Sequence, residues 1–263
     1  VAGQFSLGHA GFIAIGSYSG AILGKMMNGL PGLFAGMAVG VLISVVIAFL
    51  VGLPTLRLKG DYLAIATLGV AEIIRVAVTN MKITNGAAGI SGVPLTNTWT
   101  ITYIALVLTT ILILNYTFSS AGRATYAVLQ DEIAAESMGV QVTKYKILAF
   151  VLGAATASIG GTLSATTLGA VTPSDFTFMK SIDVLIIVVF GGIGSFTGSF
   201  VAAVLLGIIN LVLQPFGQLR MIIYAVALIL IMIFRPGGLL GTWEFKLGDF
   251  KFSKKKETKE SGK

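Results

Sequence analysis

A polar stretch, SSAGRATYAVLQDEIAAESMGVQVTKYK (residues 119–146), carries Arg123, Asp131, Glu132, Glu136, Lys144 and Lys146 in a chain of which only 11% is charged. Within it, adjacent Ala134 and Ala135 are followed four residues later by Gly139. Two neighbouring alanines keep a helix thin enough to enter a groove on a partner. Asp131, Glu132 and Glu136 offer charges at its rim, and Gly139 stands where a helix ends on a left-handed residue. The chemistry in reach is recognition rather than bond-breaking. A short helix lying along a membrane can take a push from another protein and pass it to the segments on either side, through Phe118 and Ile147. On spacing alone, a plain amphipathic surface helix is the other reading.

No catalytic set accompanies this stretch. His9 is the only histidine, no carboxylate lies within fifty residues of it, and there is no cysteine. Thiol chemistry, disulfides and thiolate metal sites are therefore excluded, and neither metal nor cofactor is expected. Ser6, Gly8 and His9 read either as packing or as the start of a broken helix lining a pore. The free N–H groups and positive dipole end of such a helix suit a carboxylate. Glu72 and Arg75 stand one turn apart, so they form a structural ion pair or belong to a polar line along a pathway. Gly191, Gly192, Gly194 and Gly198 imitate a phosphate cradle, but the P-loop lysine and the strand-then-helix context are missing. ATP binding is not expected. A close helix–helix turn facing the cytoplasm is the reading, with a gate or a second partner contact as its rival.

The elements that must position these residues belong in lipid. Hydrophobic residues make up 55% of the 263 residues and mean hydropathy is +0.92. Soluble chains run nearer 45–50% apolar with about a quarter charged. The apolar segments are continuous runs rather than alternations, which argues against a barrel. The 33 glycines fit helices packed through small residues. A bilayer core of about 30 Å needs roughly 20 apolar residues in a helix. The stretches 9–27, 32–56, 61–79, 99–118, 147–170 and 219–235 qualify. In 61–79, Glu72 and Arg75 would each cost on the order of 3 kcal/mol at the helix centre, so that span should face other helices. The stretch 175–215 is broken by GGIGSFTG (191–198) into short spans at about 176–190 and 199–213.

The expectation is therefore an all-α, polytopic transmembrane helix bundle of about eight visible spans, forming one domain over residues 1–263. Residues 119–146 and the basic tail 236–263 fall on one side when an even number of spans separates them, and the split at 191–198 supplies that parity. The inside segments then hold Arg57, Lys59, Arg123, Lys144, Lys146, Arg235 and the tail lysines, and the outside ones Lys25, Lys82, Lys180 and Arg220. This follows the positive-inside rule. The same rule accounts for the net charge of +7 without any nucleic-acid partner. Lysines 254–256 read as an orientation signal held near anionic lipid. Asp175 and Phe176, after Pro173, are candidates to face an external protein, and Asp183 should be solvated near the outer surface.

Four stretches, in order, carry a family resemblance: GQFSLGHAGFIAIGSYSGA (3–21), GRATYAVLQDEIAAESMGV (122–140), VTPSDFTFMKSIDVLIIVVFGGIGSFTG (171–198) and FRPGGLLG (234–241). Together they resemble the LivM-type permeases of branched-chain amino-acid ABC transporters over nearly the whole chain. The resemblance implies a type II importer permease in a bacterial plasma membrane. Its partners would be a second related permease in a heterodimer, two cytoplasmic ABC ATPases and an extracytoplasmic solute-binding protein. Urea-transport permeases of the same family look similar, so the resemblance leaves branched-chain amino acids and urea both open as substrate.

The resemblance matches Ala134, Ala135 and Gly139 to the EAA-type loop that contacts the ATPase, with Arg123, Asp131, Glu132 and Glu136 around them. Ile133 occupies the motif's glutamate position and Glu132 stands one residue earlier. Ser6, Gly8, His9, Glu72 and Arg75 are candidates for the translocation pathway. Family members carry one or two spans upstream of the GQxSLGH motif. This chain opens at Val1 inside that motif, without Met, and is read as lacking its natural N-terminus.

Other classes fit less well. An ion-driven secondary transporter needs intramembrane acids, and only Glu72 qualifies, beside an arginine that would hold it ionised. An intramembrane enzyme needs a paired Asp–Asp, Ser–His or His-rich set within the spans, and none is present. A fixed pore lacks a charged ring or a filter sequence.

Overall fold

Small residues set the architecture. On α1 (His9–Met27), Gly16 and Gly20 lie against Ser158 and Thr162 of α7 (Val142–Leu168), and against Gly40 and Gly36 of α2 (Leu30–Thr55). A Cβ on Gly16 would overlap the Ser158 backbone, and one on Gly36 would come within 2.7 Å of the Gly20 Cα. Backbones this close gain dispersion contacts that replace the hydrophobic drive lacking between helices in lipid. Hydroxyl bonds fasten the seam in both directions: Ser17 Oγ donates to Gly161 O at 2.9 Å and Thr162 Oγ1 donates to Gly16 O at 2.9 Å. Phe12 and Phe150 close one flank edge-to-face, with ring centroids 5.7 Å apart.

The computed structural model describes residues 3–213 except 5, 57, 59 and 193, together with Val226. Besides the central trio, the chain forms α3 (Asp61–Asn80), α4 (Trp99–Phe118), α5 (Ser120–Gln130), α6 (Glu132–Ser137), α8 (Phe178–Gly191) and α9 (Phe196–Leu213). A two-residue antiparallel pair, β1 (Ile90–Ser91) with β2 (Ala170–Val171), matches Ile90 to Val171. The described residues fall into two compact units, one running to Leu185 and one starting at Ile186. In the second unit, Phe190, Ala202 and Leu206 form a small apolar cluster.

The fold is a polytopic helical bundle, as expected. Helices α2, α3, α4, α7 and α9 are long and apolar enough to cross a membrane. Their outward positions, such as Leu42, Leu50, Ile65, Ile73, Leu108 and Leu211, are exposed and apolar, as a lipid-facing surface requires. The stretches expected at 9–27, 61–79 and 99–118 are the helices α1, α3 and α4 within a residue, and of these α3 and α4 are long and apolar enough to cross a membrane. Fourteen-residue α8 reaches about 21 Å, short of a bilayer core. The expected span 219–235, the tail 236–263, Arg57 and Lys59 lie outside the described residues.

The polar stretch differs from its sequence outline in three ways. It is two helices, α5 and α6, broken at Asp131, whose φ of −156° is extended. Residues 142–146 are not loop but the first turns of α7, whose buried face begins with Lys146 and Ile147. Lys146, grouped with the water-facing charges, is 8% exposed.

Distant segments meet at each end of the first unit. Lys25 Nζ donates to Ser91 O at 2.9 Å and Val93 N donates to Gly169 O at 2.9 Å, which gathers residues 25, 90–93 and 169–171 at one end. At the other end Gly52 lies beside Ile147 and Phe150, next to the turn that follows α6.

Candidate functional site

Helix α5 is set at a tight corner. Ser119 caps it, its Oγ accepting from Gly122 N at 3.2 Å, and the Tyr116 and Thr125 hydroxyls meet at 2.6 Å across the corner. Gly122 lies on the Tyr116 and Thr117 carbonyls, leaving no room for a side chain. Arg123 Nη1 donates to Phe118 O at 3.0 Å, a cation on the carbonyl end of α4 where the helix dipole favours it.

Helix α6 has six residues and is defined at both ends. Asp131 caps its start, accepting from Ile133 N at 2.8 Å and Ala134 N at 3.1 Å. Gly139, at φ +81°, ends it: Val140 N donates to Ala135 O at 3.0 Å and Gly139 N to Glu136 O at 2.9 Å. This is the double bond pattern of a Schellman motif, which a left-handed glycine makes inexpensive. Ala135 is buried, and the Glu132 carboxylate pairs with the Lys146 ammonium on α7.

The acids that the sequence placed at the rim of α6 remain exposed or half-exposed, and the fold sets large apolar side chains beside them. Asp131 is a cap, Arg123 braces the α4 corner and Glu132 is tied to α7. What projects is Ala134 beside two large apolar side chains, Ile133 at 75% and Met138 at 84% exposure. Glu136 is exposed and lines a cavity of about 650 Å³ with Phe49, Lys144, Ile147 and Val151. Sequence reasoning missed Lys146, because no periodicity crosses the break between α6 and α7. It also passed over the signal that Ile133 was the one large apolar residue within α6.

A second feature lies inside the first unit. Pairing Gly16 and Gly20 with Ser158 and Thr162 puts His9 level with position 151 of α7, and pairing them with Gly40 and Gly36 puts it level with position 47 of α2. Helix α7 starts at Val142 and α2 ends at Thr55. Helix α1 therefore begins eight to nine residues inside the ends of both neighbours, about 12–14 Å at 1.5 Å per residue.

Its N–H donors are met by hydroxyls. Leu7 N donates to Thr67 Oγ1 on α3 at 3.0 Å, Gly8 N to Ser6 Oγ at 3.2 Å and Ala10 N to Ser181 Oγ on α8 at 3.1 Å. His9 Nδ1 lies 3.3 Å from Ser6 O. Ser6, Thr67 and Ser181 are buried. The structure thus brings Ser6, Gly8 and His9 together at a recessed helix end and adds Thr67 and Ser181. A lone hydroxyl within an apolar run was the available sequence signal for Thr67, whereas Ser181, between Lys180 and Asp183, gave none.

Glu72 and Arg75 sit apart from this end. Arg75 Nε donates to Glu72 Oε2 at 2.7 Å and Nη2 lies 2.7 Å from the same oxygen, with about a third of each side chain exposed. The face that α3 turns to α1 is made by Ala71 and Ile74 against Gly11.

In the second unit, Gly191 and Gly198 meet backbone to backbone, so a side chain on either would overlap the other. Gly192 and Gly194 take φ of +116° and +98°, and Ser195 Oγ accepts from Gly198 N at 2.9 Å at the start of α9. The geometry is a close helix–turn–helix.

Comparison with known proteins adds the following. The family described as "Branched-chain amino acid transport system / permease component" matches residues 1–234. The high-affinity branched-chain amino acid transport system permease protein LivM of Salmonella typhimurium is 36% identical over 91% of this chain and 64% of its own length. LivM of Escherichia coli is 35% identical over the same shares. LivH of Escherichia coli is 30% identical over 54% of this chain and 46% of its own length. The chain thus spans somewhat under two thirds of the LivM relatives. No solved structure matches it.

Proposed function

Because this chain belongs to the family of branched-chain amino acid transport permease components, we propose that it is the membrane-spanning, non-catalytic subunit of an ATP-driven importer of leucine, isoleucine and valine. It works by alternating access in a bacterial inner membrane. It pairs there with a second, related permease, takes solute from an extracytoplasmic binding protein and is driven by two cytoplasmic ABC ATPases.

The observation that carries this reading is the build of α6. A six-residue helix has no stability of its own in water, yet this one is capped at both ends and fastened to a spanning helix. It presents Ile133, Ala134 and Met138 outward. Rigid apolar knobs with a small residue between them fit a groove on a soluble partner, and burying each large one contributes about 1.5–3 kcal/mol. Motion given to α6 reaches α7 directly, and α1 through the Ser17 and Thr162 bonds. The recessed α1 end supports a place for Ser6, Gly8 and His9 on the pathway between alternating states.

The test is uptake of labelled leucine and labelled urea into vesicles holding the permease pair, with and without the ATPases and binding protein. Leucine uptake that needs ATP and the ATPases is the expected result. Uptake without any ATPase would overturn the importer reading, and uptake of urea alone would overturn the substrate.

A further inference from the structure

We infer that the Glu132–Lys146 ion pair is the link through which α6 pulls on the bundle, as distinct from the packing through which it pushes. The inference rests on the reading of α6 as the ATPase-docking helix and assigns Lys146 a positioning role within it.

The C-terminal end of α6 is joined to α7 by the short turn 138–141, which pivots at left-handed Gly139. At its N-terminal end α6 continues from α5 through Asp131, and α5 packs on α7 in its turn. Among the described contacts, α6 itself is tied to α7 by the burial of Ala135 and by the bond from Glu132 to Lys146 on the first turns of α7. Apolar packing resists compression but has little directional strength when two surfaces are drawn apart. A hydrogen-bonded ion pair resists both.

Placement strengthens the pair under load. Lys146 is 8% exposed and Glu132 about a third exposed. Drawing them apart leaves an ammonium with little access to water, so the cost of separation rises steeply. Such a pair is a poor device for stability alone, since apolar residues of similar volume hold as well or better. It is suited to keeping two elements in one register while force passes between them. Behind Lys146, α7 is fastened to α1 by the reciprocal Ser17 and Thr162 bonds. A pull on α6 thus reaches the recessed end of α1 at Leu7–Ala10.

In the cycle, a pull arises when the ATPases separate after hydrolysis. Without the link, docking and hydrolysis persist while the bundle fails to follow. The experiment uses the full complex in vesicles, with leucine as probe, comparing Lys146→Ala, Glu132→Gln, Lys146→Arg and the exchanged pair Glu132→Lys with Lys146→Glu. ATPase co-purification and ATP hydrolysis should stay within about twofold in Lys146→Ala. Leucine carried per ATP should fall about tenfold in Lys146→Ala and in Glu132→Gln, within the range of couplings between networked residues. Lys146→Arg and the exchanged pair should recover it.

Unchanged leucine per ATP in Lys146→Ala or Glu132→Gln would overturn the inference. So would an exchanged pair that co-purifies with ATPase but stays uncoupled. A merely structural role would lower protein yield and hydrolysis together and leave the ratio intact. Failure of the unmodified chain to retain ATPase would instead overturn the docking reading beneath it.

Discussion

Ser17 on α1 and Thr162 on α7 each donate a hydrogen bond to the other helix's backbone, both at 2.9 Å, across a seam that Gly16 and Gly161 keep too narrow for side chains. The bonds depend on the glycines, since any wider seam would put the carbonyls out of reach. Gly16→Leu should therefore abolish the folded bundle, whereas Ser17→Ala should cost only about 0.6 kcal/mol, typical of one interhelical bond in a membrane protein. Thermal unfolding in detergent separates the two. A folded, monodisperse Gly16→Leu protein would contradict the packing.

At Gly139 the backbone is left-handed, φ +81°, and the space beside the Cα is open. Substitution there is thus a matter of strain rather than collision. Gly139→Val should cost on the order of 1–2 kcal/mol locally, fray α6 and weaken ATPase co-purification while leaving membrane insertion intact. Gly139→Asn, which tolerates this conformation better, should fall between. Equal co-purification for all three would show that the end of α6 is irrelevant to docking.

Ile133 and Met138 should dominate partner binding over the acids around them. Ile133→Ala and Met138→Ala are each expected to weaken ATPase affinity roughly 10–100-fold, from about 1.5–3 kcal/mol of lost burial. Glu136→Gln should change it less than about fivefold, as exposed charges do. Affinities measured with the purified ATPase on nanodisc-held permease decide the order. The reverse ranking would restore the acidic-rim picture.

The Glu72–Arg75 pair is open to a separate check. About a third of each side chain is exposed, so the pair is worth no more than about 1 kcal/mol. Glu72→Gln with Arg75→Met should leave leucine uptake and its half-saturating concentration unchanged, with little effect on unfolding. A large shift in half-saturation would place the pair in the pathway.

The bundle was legible because its signals are long-range averages. Apolar runs of bilayer length, glycines breaking 191–198 and a left-handed stop at Gly139 all survive without knowledge of neighbours. The docking helix was legible in position but not in chemistry. Asp131 and Glu132 carry charge in the sequence, and only the fold shows one spent on capping Ile133 and Ala134 and the other on Lys146, fourteen residues away beyond a chain break in helicity. Thr67 and Ser181 were out of reach for the same reason: a lone hydroxyl gives no sign of which backbone amide it will meet.

The recessed start of α1 has a consequence for speed. The amides of Leu7 and Ala10 are held by side-chain hydroxyls, not by helical carbonyls. Freeing them takes χ1 rotations of Thr67 and Ser181, with loss of the Thr67 Oγ1 bond to Ala64 O, and breaks no backbone-to-backbone helical bond. Side-chain rotation is far faster than the microsecond-to-millisecond motions of whole elements. Exposing polar backbone at this depth can therefore follow each displacement of α1 without delay, leaving the turnover time to the movement of the helices themselves.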